Sequence, residues 1–485
     1  MTPLLPCLAL LAAAAPPRLV VVMVVDQLRM EDLDHYAPLL GPGGLGGLAA
    51  RGTPFEARYL TANTETGPGH ATLATGAYAN EHGIATNLAM TEQGPRYVIV
   101  DDRYPVWGRA TPDGRSPAAL RVPTVGDTLK VRSNGKSRVL AVAAKDRSAI
   151  LTGGFSADLA AWWDPDQATF TSSTYYAAEM PAWLKTFNAA HTTAQLSGYR
   201  WDAVRPVSSY LPLTRPDDAR AESARLGLPP TLPKTLDPAK VPPGKLGTAA
   251  RYAPLLDGWV ADLALAGADA LELGRDDEVD LLWVSFSGYD MVGHAWGPYS
   301  VERADTVVRT SANIARLMGE LEKRVGRDRL AVVVTSDHGV APIPEDTAAL
   351  RIPAGRVAYG DVSAAIDGAL DASAGPRDWV KLVSPPNVWL DPAADALPCD
   401  VLERAARAAL SVDGVATGVS ACRLEHLSGM PWEAFKNAHH PVRGGHILVE
   451  TRPYWIWRDP AEGTGTDHGS TWSYDQRVPV MVVGG

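Results

Sequence analysis

LVVVMVV at residues 19–25 runs directly into Asp26. A short, unbroken apolar run that ends at a charge reads as a strand buried on both faces, the kind found inside parallel sheets. Two further stretches repeat the pattern. LLWVSF at 281–286 is followed closely by Asp290, and LAVVV at 330–334 by Asp337. In open parallel α/β sheets, ligands bind beyond the carboxyl ends of the strands. Three buried strands that each lead to an aspartate therefore predict one site built from distant sequence.

Working outward, strands are also expected at Arg138–Ala143, around Val388–Leu390, at Ile447–Glu450 and at Val478–Val483. Helices are expected at His70–Thr75, Asp257–Leu273, Val301–Arg324 and Asp400–Leu410. The alternation predicts an α/β fold with a central, mostly parallel sheet flanked by helices. Residues 203–248 are rich in Pro and lack periodicity, so they read as a long surface excursion of the kind that carries function or moves. Residues 345–445 read as an inserted α/β subdomain. Ligands at 26, 290, 337 and 468 must converge, so 18–485 is read as one catalytic domain despite a length of 485 residues that would allow about three.

The chain carries a net charge of −10, which argues against wholesale nucleic-acid binding. No internal segment reaches the about 18 uninterrupted apolar residues of a membrane span. PLLPCLALLAAAA at 3–15 resembles the apolar core and cleavage site of a secretory signal, although no Lys or Arg precedes it. Residues 1–17 are therefore read as a signal peptide and the protein as periplasmic or secreted. Pro6 before Cys7 argues against a lipoprotein anchor. Cys399 and Cys422 are either a disulfide or two buried thiols. With no Cys-x-x-Cys motif, any metal must be held by carboxylates and imidazoles.

Such a set exists. Asp290 and His294 lie four residues apart, Asp337 and His338 follow a strand end, and His468 sits in Gly-Thr-Asp-His-Gly at 465–469. With Asp26 they make three Asp and three His, enough for two catalytic sites of three ligands each, a chemistry that suits Zn²⁺. Two metals roughly 3.5–4 Å apart can clamp the attacking and leaving oxygens of a phosphoryl transfer. His439, His440 and His446 also cluster, and are read as exposed loop histidines. Thr66, in TETGPGH at 64–70, is placed at a helix N-terminus, where free N–H groups and the dipole attract phosphate. Lys145 and Arg147 flank Asp146. In an extended chain they would face one side together, which suits a dianionic phosphate better than a diester.

Taken together, Asp26, Thr66–His70, Lys145–Arg147, Asp290/His294, Asp337/His338 and Gly465–Gly469 resemble the alkaline phosphatase superfamily. The likeness is to the bacterial alkaline phosphatases with a threonine nucleophile, grouped with the type I phosphodiesterase/nucleotide pyrophosphatase family. It runs from about residue 19 to the end and includes His82–Asn87, Leu151–Ala157 and Ser285–Gly288. The resemblance implies an alkaline-phosphatase-like fold and two Zn²⁺ per chain. Thr66 would be the nucleophile, forming a phosphothreonine. Asp26, Asp337 and His338 would hold one zinc with Thr66, and Asp290, His294 and His468 the other. Asn87, Lys145 and Arg147 would contact the phosphoryl oxygens.

The related nucleotide pyrophosphatases lack the Lys/Arg pair, so its presence favours small-molecule phosphate monoesters as substrates. A phosphodiesterase using the same metals is the alternative. The Cys/Ser-x-Pro-x-Arg motif of sulfatases is missing. Relatives continue past the strand matching Val478–Val483 with a further loop, helix and strand, so the last layer of the fold is expected to be less covered. A monomer is favoured.

Overall fold

A computed structural model describes residues 16–484 except 52–53, 110–112, 220, 223 and 460–462. Most of the segment read as a signal peptide lies outside the described residues. The central sheet has eight strands. In chain order these are β1 Leu19–Val25, β2 Phe55–Arg58, β3 Val139–Ala143, β4 Leu159–Asp164, β5 Thr169–Thr171, β6 Asp280–Phe286, β7 Leu330–Thr335 and β8 Arg477–Gly484. Their spatial order is β2-β8-β7-β1-β6-β3-β4-β5. The five middle strands β7-β1-β6-β3-β4 are parallel. β8, β2 and β5 add antiparallel edges. The fold is α/β with a central mixed sheet between helices.

The period of two along each strand feeds two cores. Val21, Met23 and Val25 of β1, with Leu282 and Val284 of β6, face one core. That core is completed by helices Leu255–Ala270 and Val301–Val325, through Val260, Leu263, Ile314 and Leu317. Val24, Leu281 and Trp283 face the other, with helices α1 (Thr66–Thr75) and α2 (Asp146–Gly153). Burial on both sides is why these strands lack polar alternation. On the α1 side, the sheet face is not fully covered. Val22, Leu73, Val333 and Val480 line an apolar groove of about 580 Å³.

A separate four-stranded antiparallel sheet, strands Val380–Ser384, Asn387–Leu390, Val415–Ser420 and Ile447–Thr451, packs against helices Tyr359–Ala374 and Cys399–Ala408. It has its own core, including Val362, Ile366, Leu390 and Leu402. Cys399 and Cys422 are bonded to each other, which resolves the open pair.

The segment 203–248 lies mostly at the surface, but a few of its residues anchor it in the core. Tyr210, Leu228 and Leu236 are fully buried in the main core, and Lys234–Thr235 pairs with Arg200–Trp201. Isolated apolar residues between prolines make this core contribution, and they carry no periodic signal.

Candidate active site and metal centre

The carboxyl ends of β1, β6 and β7 lie side by side, with Val25 opposite Phe286 and Val24 opposite Thr335. That register brings Asp26, Asp290 and Asp337 together from three remote parts of the chain. Asp290 and His294 lie one turn apart on helix Gly288–Trp296, with Asp290 Oδ1 and His294 Nε2 3.2 Å apart. His468 Nε2 stands 3.8 Å from the same oxygen. These three offer ligand atoms within 4.8 Å of one another.

A second group of this kind is Asp26, His70 and Asp337. The sequence places His70 at the start of a helix and at the end of the Thr66–His70 motif, with no ligand role. As the fourth residue after Thr66 on α1, it turns its ring toward Asp337 Oδ2, 3.2 Å away. Both of its nitrogens are engaged, Nδ1 with Thr66 O at 2.8 Å and Nε2 with Ser285 Oγ at 2.6 Å. His338, the expected partner of Asp337, instead bonds only through Nδ1, to Gly339 O at 2.9 Å. Its Nε2 is buried with no hydrogen-bond partner and lies 3.3 Å from Asp337 Oδ2.

Backbone carbonyls set three imidazoles in the same way. His294 Nδ1 meets Thr466 O at 2.9 Å and His468 Nδ1 meets Thr64 O at 2.7 Å, as His338 Nδ1 meets Gly339 O. An N–H donated from Nδ1 leaves Nε2 as the lone-pair donor on the site side. Burial pushes His338 and His468 down to about 3, so both rings are neutral, the form that ligates a metal. For Asp290, burial opposes ionisation, but Lys145 and His294 hold its carboxyl well below the usual range.

Thr66 is the first residue of α1, after Glu65 as its N-cap, and its side chain is buried. Lys145 Nζ lies 3.2 Å from Thr66 Oγ1, 2.9 Å from Asp26 Oδ2 and 2.6 Å from Asp290 Oδ2. Lys145 and Arg147 do not alternate along an extended strand, because Asp146 begins α2 and Lys145 is its N-cap. Arg147 nevertheless lines the same cavity, about 340 Å³, as Thr66, Asn87, Asp290, His294 and His468. Asn87 Oδ1 accepts from Gly67 N at 2.8 Å, which leaves its NH₂ end for a ligand. Glu65, beside Asn87 N, is pushed up to about 7 by burial.

One supporting residue gave no sequence signal. Gln27 has a φ of 70°, in the left-handed region. Its N–H donates to Asp337 Oδ1 at 3.2 Å and its Nε2 to Asp290 Oδ1 at 2.8 Å. Arg303 Nη1 donates to Gln27 Oε1 at 2.7 Å from below. The positive φ lets one residue reach both aspartates, Asp337 with its backbone N–H and Asp290 with its side chain.

The cluster 439–446 is half-buried rather than exposed. His439 Nε2 meets Gly445 O at 3.1 Å and His446 Nε2 meets Asp395 Oδ1 at 3.1 Å. These rings fasten a turn of the inserted sheet, and they belong to neither ligand group.

A protein named alkaline phosphatase PhoV, of Synechococcus elongatus, is 27% identical over 97% of this chain and 86% of its own length. A protein of Myroides odoratus named calcium-transporting ATPase is 30% identical over 96% of this chain and 87% of its own. Among the described residues here, no helix is long and apolar enough to cross a membrane. The crystal structure of alkaline phosphatase PafA matches with a TM-score of 0.89 and 27% identity, over 97% of this chain and 92% of that one. The family model for type I phosphodiesterase/nucleotide pyrophosphatase matches residues 20–470, and the chain belongs to that family.

Proposed function

We propose that this protein is an exported phosphate monoester hydrolase of the alkaline phosphatase type, dependent on two zinc ions and acting through a phosphothreonine at Thr66. The observation that carries the reading is the placement of the Thr66 hydroxyl beside Lys145, in a cavity that also holds Asp290, His294 and His468. Named alkaline phosphatases among its relatives support the reaction class.

The donor set fits metal. His338 Nε2 and Asp337 Oδ2 are buried without hydrogen-bond partners, and the Nε2 atoms of His294 and His468 both face Asp290 Oδ1. Asp26, Asp337 and His338, with Thr66, would hold one ion. Asp290, His294 and His468 would hold the other. His70, whose nitrogens are engaged with Thr66 O and Ser285 Oγ, sets its ring beside Asp26 and Asp337 and is not counted among the ligands. When bound, the ions supply Lewis-acid charge that lowers the pKa of oxygen nucleophiles and stabilises departing oxygen.

The chain's own residues do the rest. Thr66 Oγ1 forms a bond to phosphorus in line with the ester oxygen that leaves, and water then cleaves the phosphothreonine. Lys145 stabilises the attacking oxygen, and with Arg147 and the Asn87 amide it neutralises the non-bridging oxygens. Two cations match a dianionic monoester, which is why a monoester is preferred over a diester. The disulfide supports a periplasmic or secreted location, because such bonds persist in oxidising compartments. The partners are small-molecule phosphate monoesters, and the working unit is a monomer.

The test measures kcat/KM for an aryl monoester and its diester, with metal content on the same sample. Thr66→Ala is expected to lower monoester turnover by about 10³ or more. Near-normal turnover with metal bound would sink the mechanism. Lys145→Ala and Arg147→Ala should cost the monoester far more than the diester. Equal losses would favour the phosphodiesterase reading.

A further inference from the structure

The cavity at Thr66 is also lined by Arg225 and Arg251, which the reaction described above does not use. Arg225 comes from the segment 203–248, and Arg251 from just beyond it. Arg225 Nε donates to Tyr252 OH at 3.3 Å, and its guanidinium stands 5.5 Å from that ring's centroid. Arg251 Nε is buried without a hydrogen-bond partner, and its Nη2 meets the Met291 thioether at 3.8 Å.

Neither guanidinium has an ion-pair partner within 4.0 Å among the described residues. Several other arginines packed inside this protein are matched. Arg29 and Arg303 pair with Asp32, Arg109 with Asp164, and Arg215 with Glu222. An unmatched guanidinium set into a cavity wall is costly unless an anion arrives to pair with it. The cost is raised by Arg147 on the same wall. Burial first, and then the neighbouring Arg147, disfavour the charge on Arg251.

We propose that Arg225 and Arg251 form a second anion subsite, which selects phosphate monoesters carrying a further negative group on the leaving alcohol. Tyr252 holds Arg225 by its hydroxyl and its ring, and the planar guanidinium suits a carboxylate or a second phosphate equally. The proposal rests on the phosphomonoesterase reading of Thr66 and extends it to substrate class.

Three aryl esters test it with the metal-loaded enzyme: 4-carboxyphenyl phosphate, 1,4-phenylene bisphosphate and the uncharged 4-carbamoylphenyl phosphate. The carbamoyl ester has a better leaving group than the carboxylate ester, so a higher kcat/KM for the latter requires recognition of its charge. The wild type is expected to prefer at least one charged ester by about tenfold, and the larger ratio identifies the anion. Arg225→Gln and Arg251→Gln should each lower that ratio several-fold, with leaving-group reactivity cancelling in the comparison. Arg251→Lys should restore part of it. A wild-type ratio at or below one overturns the subsite without any variant being needed. A ratio unchanged in both glutamine variants also overturns it. Failure to cleave any of the three esters would instead overturn the phosphomonoesterase reading.

Discussion

His82 shows how a single side chain ties this fold to pH. It is fully buried beneath the loop that carries Asn87, with Nδ1 accepting from Ile84 N at 3.1 Å and Nε2 facing Thr72 Oγ1 at 3.2 Å. Burial, assisted by His440, pushes it down to about 3. The ring is neutral in the folded protein, whereas in the unfolded chain it takes a proton near pH 6.5. Its stabilising contribution is therefore complete above that value and is lost as pH falls toward 3, by about 1.4 kcal/mol per pH unit. Tm followed from pH 7 to pH 5 should fall less steeply in His82→Gln than in the parent. Parallel curves would show that His82 does not drive the acid sensitivity.

At the scale of the element, the decisive contact is between α1 and the carboxyl end of β7. A Cβ on Gly69 would collide with the Asp337 backbone carbonyl, so only glycine lets the helix bearing Thr66 approach the strand bearing Asp337. Gly69→Ala is expected to cost about 1–3 kcal/mol through overpacking and to lower bound metal per chain. Wild-type melting and metal content in that variant would refute the contact's importance. The sequence made much of this level legible. β1, β6 and β7 were readable because parallel strands buried on both faces become continuous apolar runs, and the aspartates mark where those runs stop. Asp290, His294 and His468 form one group of close ligand atoms there, while Asp26 and Asp337 form another with His70. What escaped was whatever depends on a neighbour rather than on a period. His70 looks like any helical residue until Asp337 is placed beside it. Gln27 carries no pattern that announces a positive φ. Lys145 and Arg147 do not alternate along an extended chain as expected, because Asp146 starts a helix there.

The whole molecule combines one large sheet with an insertion that has its own core. Cys399 and Cys422 close a loop across that insertion with a sequence separation of 23 residues, remote from Thr66 in the sequence. By loop-closure entropy such a link contributes about 3 kcal/mol. Cys422→Ser is expected to lower the melting transition of the inserted unit while aryl phosphate turnover at 25 °C stays close to the parent's. A collapse of turnover with an unchanged melt would contradict this division. Segment 203–248 stands at the opposite extreme. Its few buried residues, Tyr210, Leu228 and Leu236, are spread among prolines, and only the assembled core reveals that they belong to it.

The order of the sheet sets a schedule. β2 hydrogen-bonds to β8 alone, and β8 fills the gap between β2 and β7. A ribosome makes residues 55–58 long before residues 477–484, so the early strand lacks its partner β8 while residues 59–476 are made. His468 also emerges late. A growing chain can thus acquire its local helices but not its finished sheet, and the long-range pairing that completes it is intrinsically slow. Such a polypeptide cannot close this side of its sheet until β8 is made, and Thr66 and His468 are both present only shortly before it does.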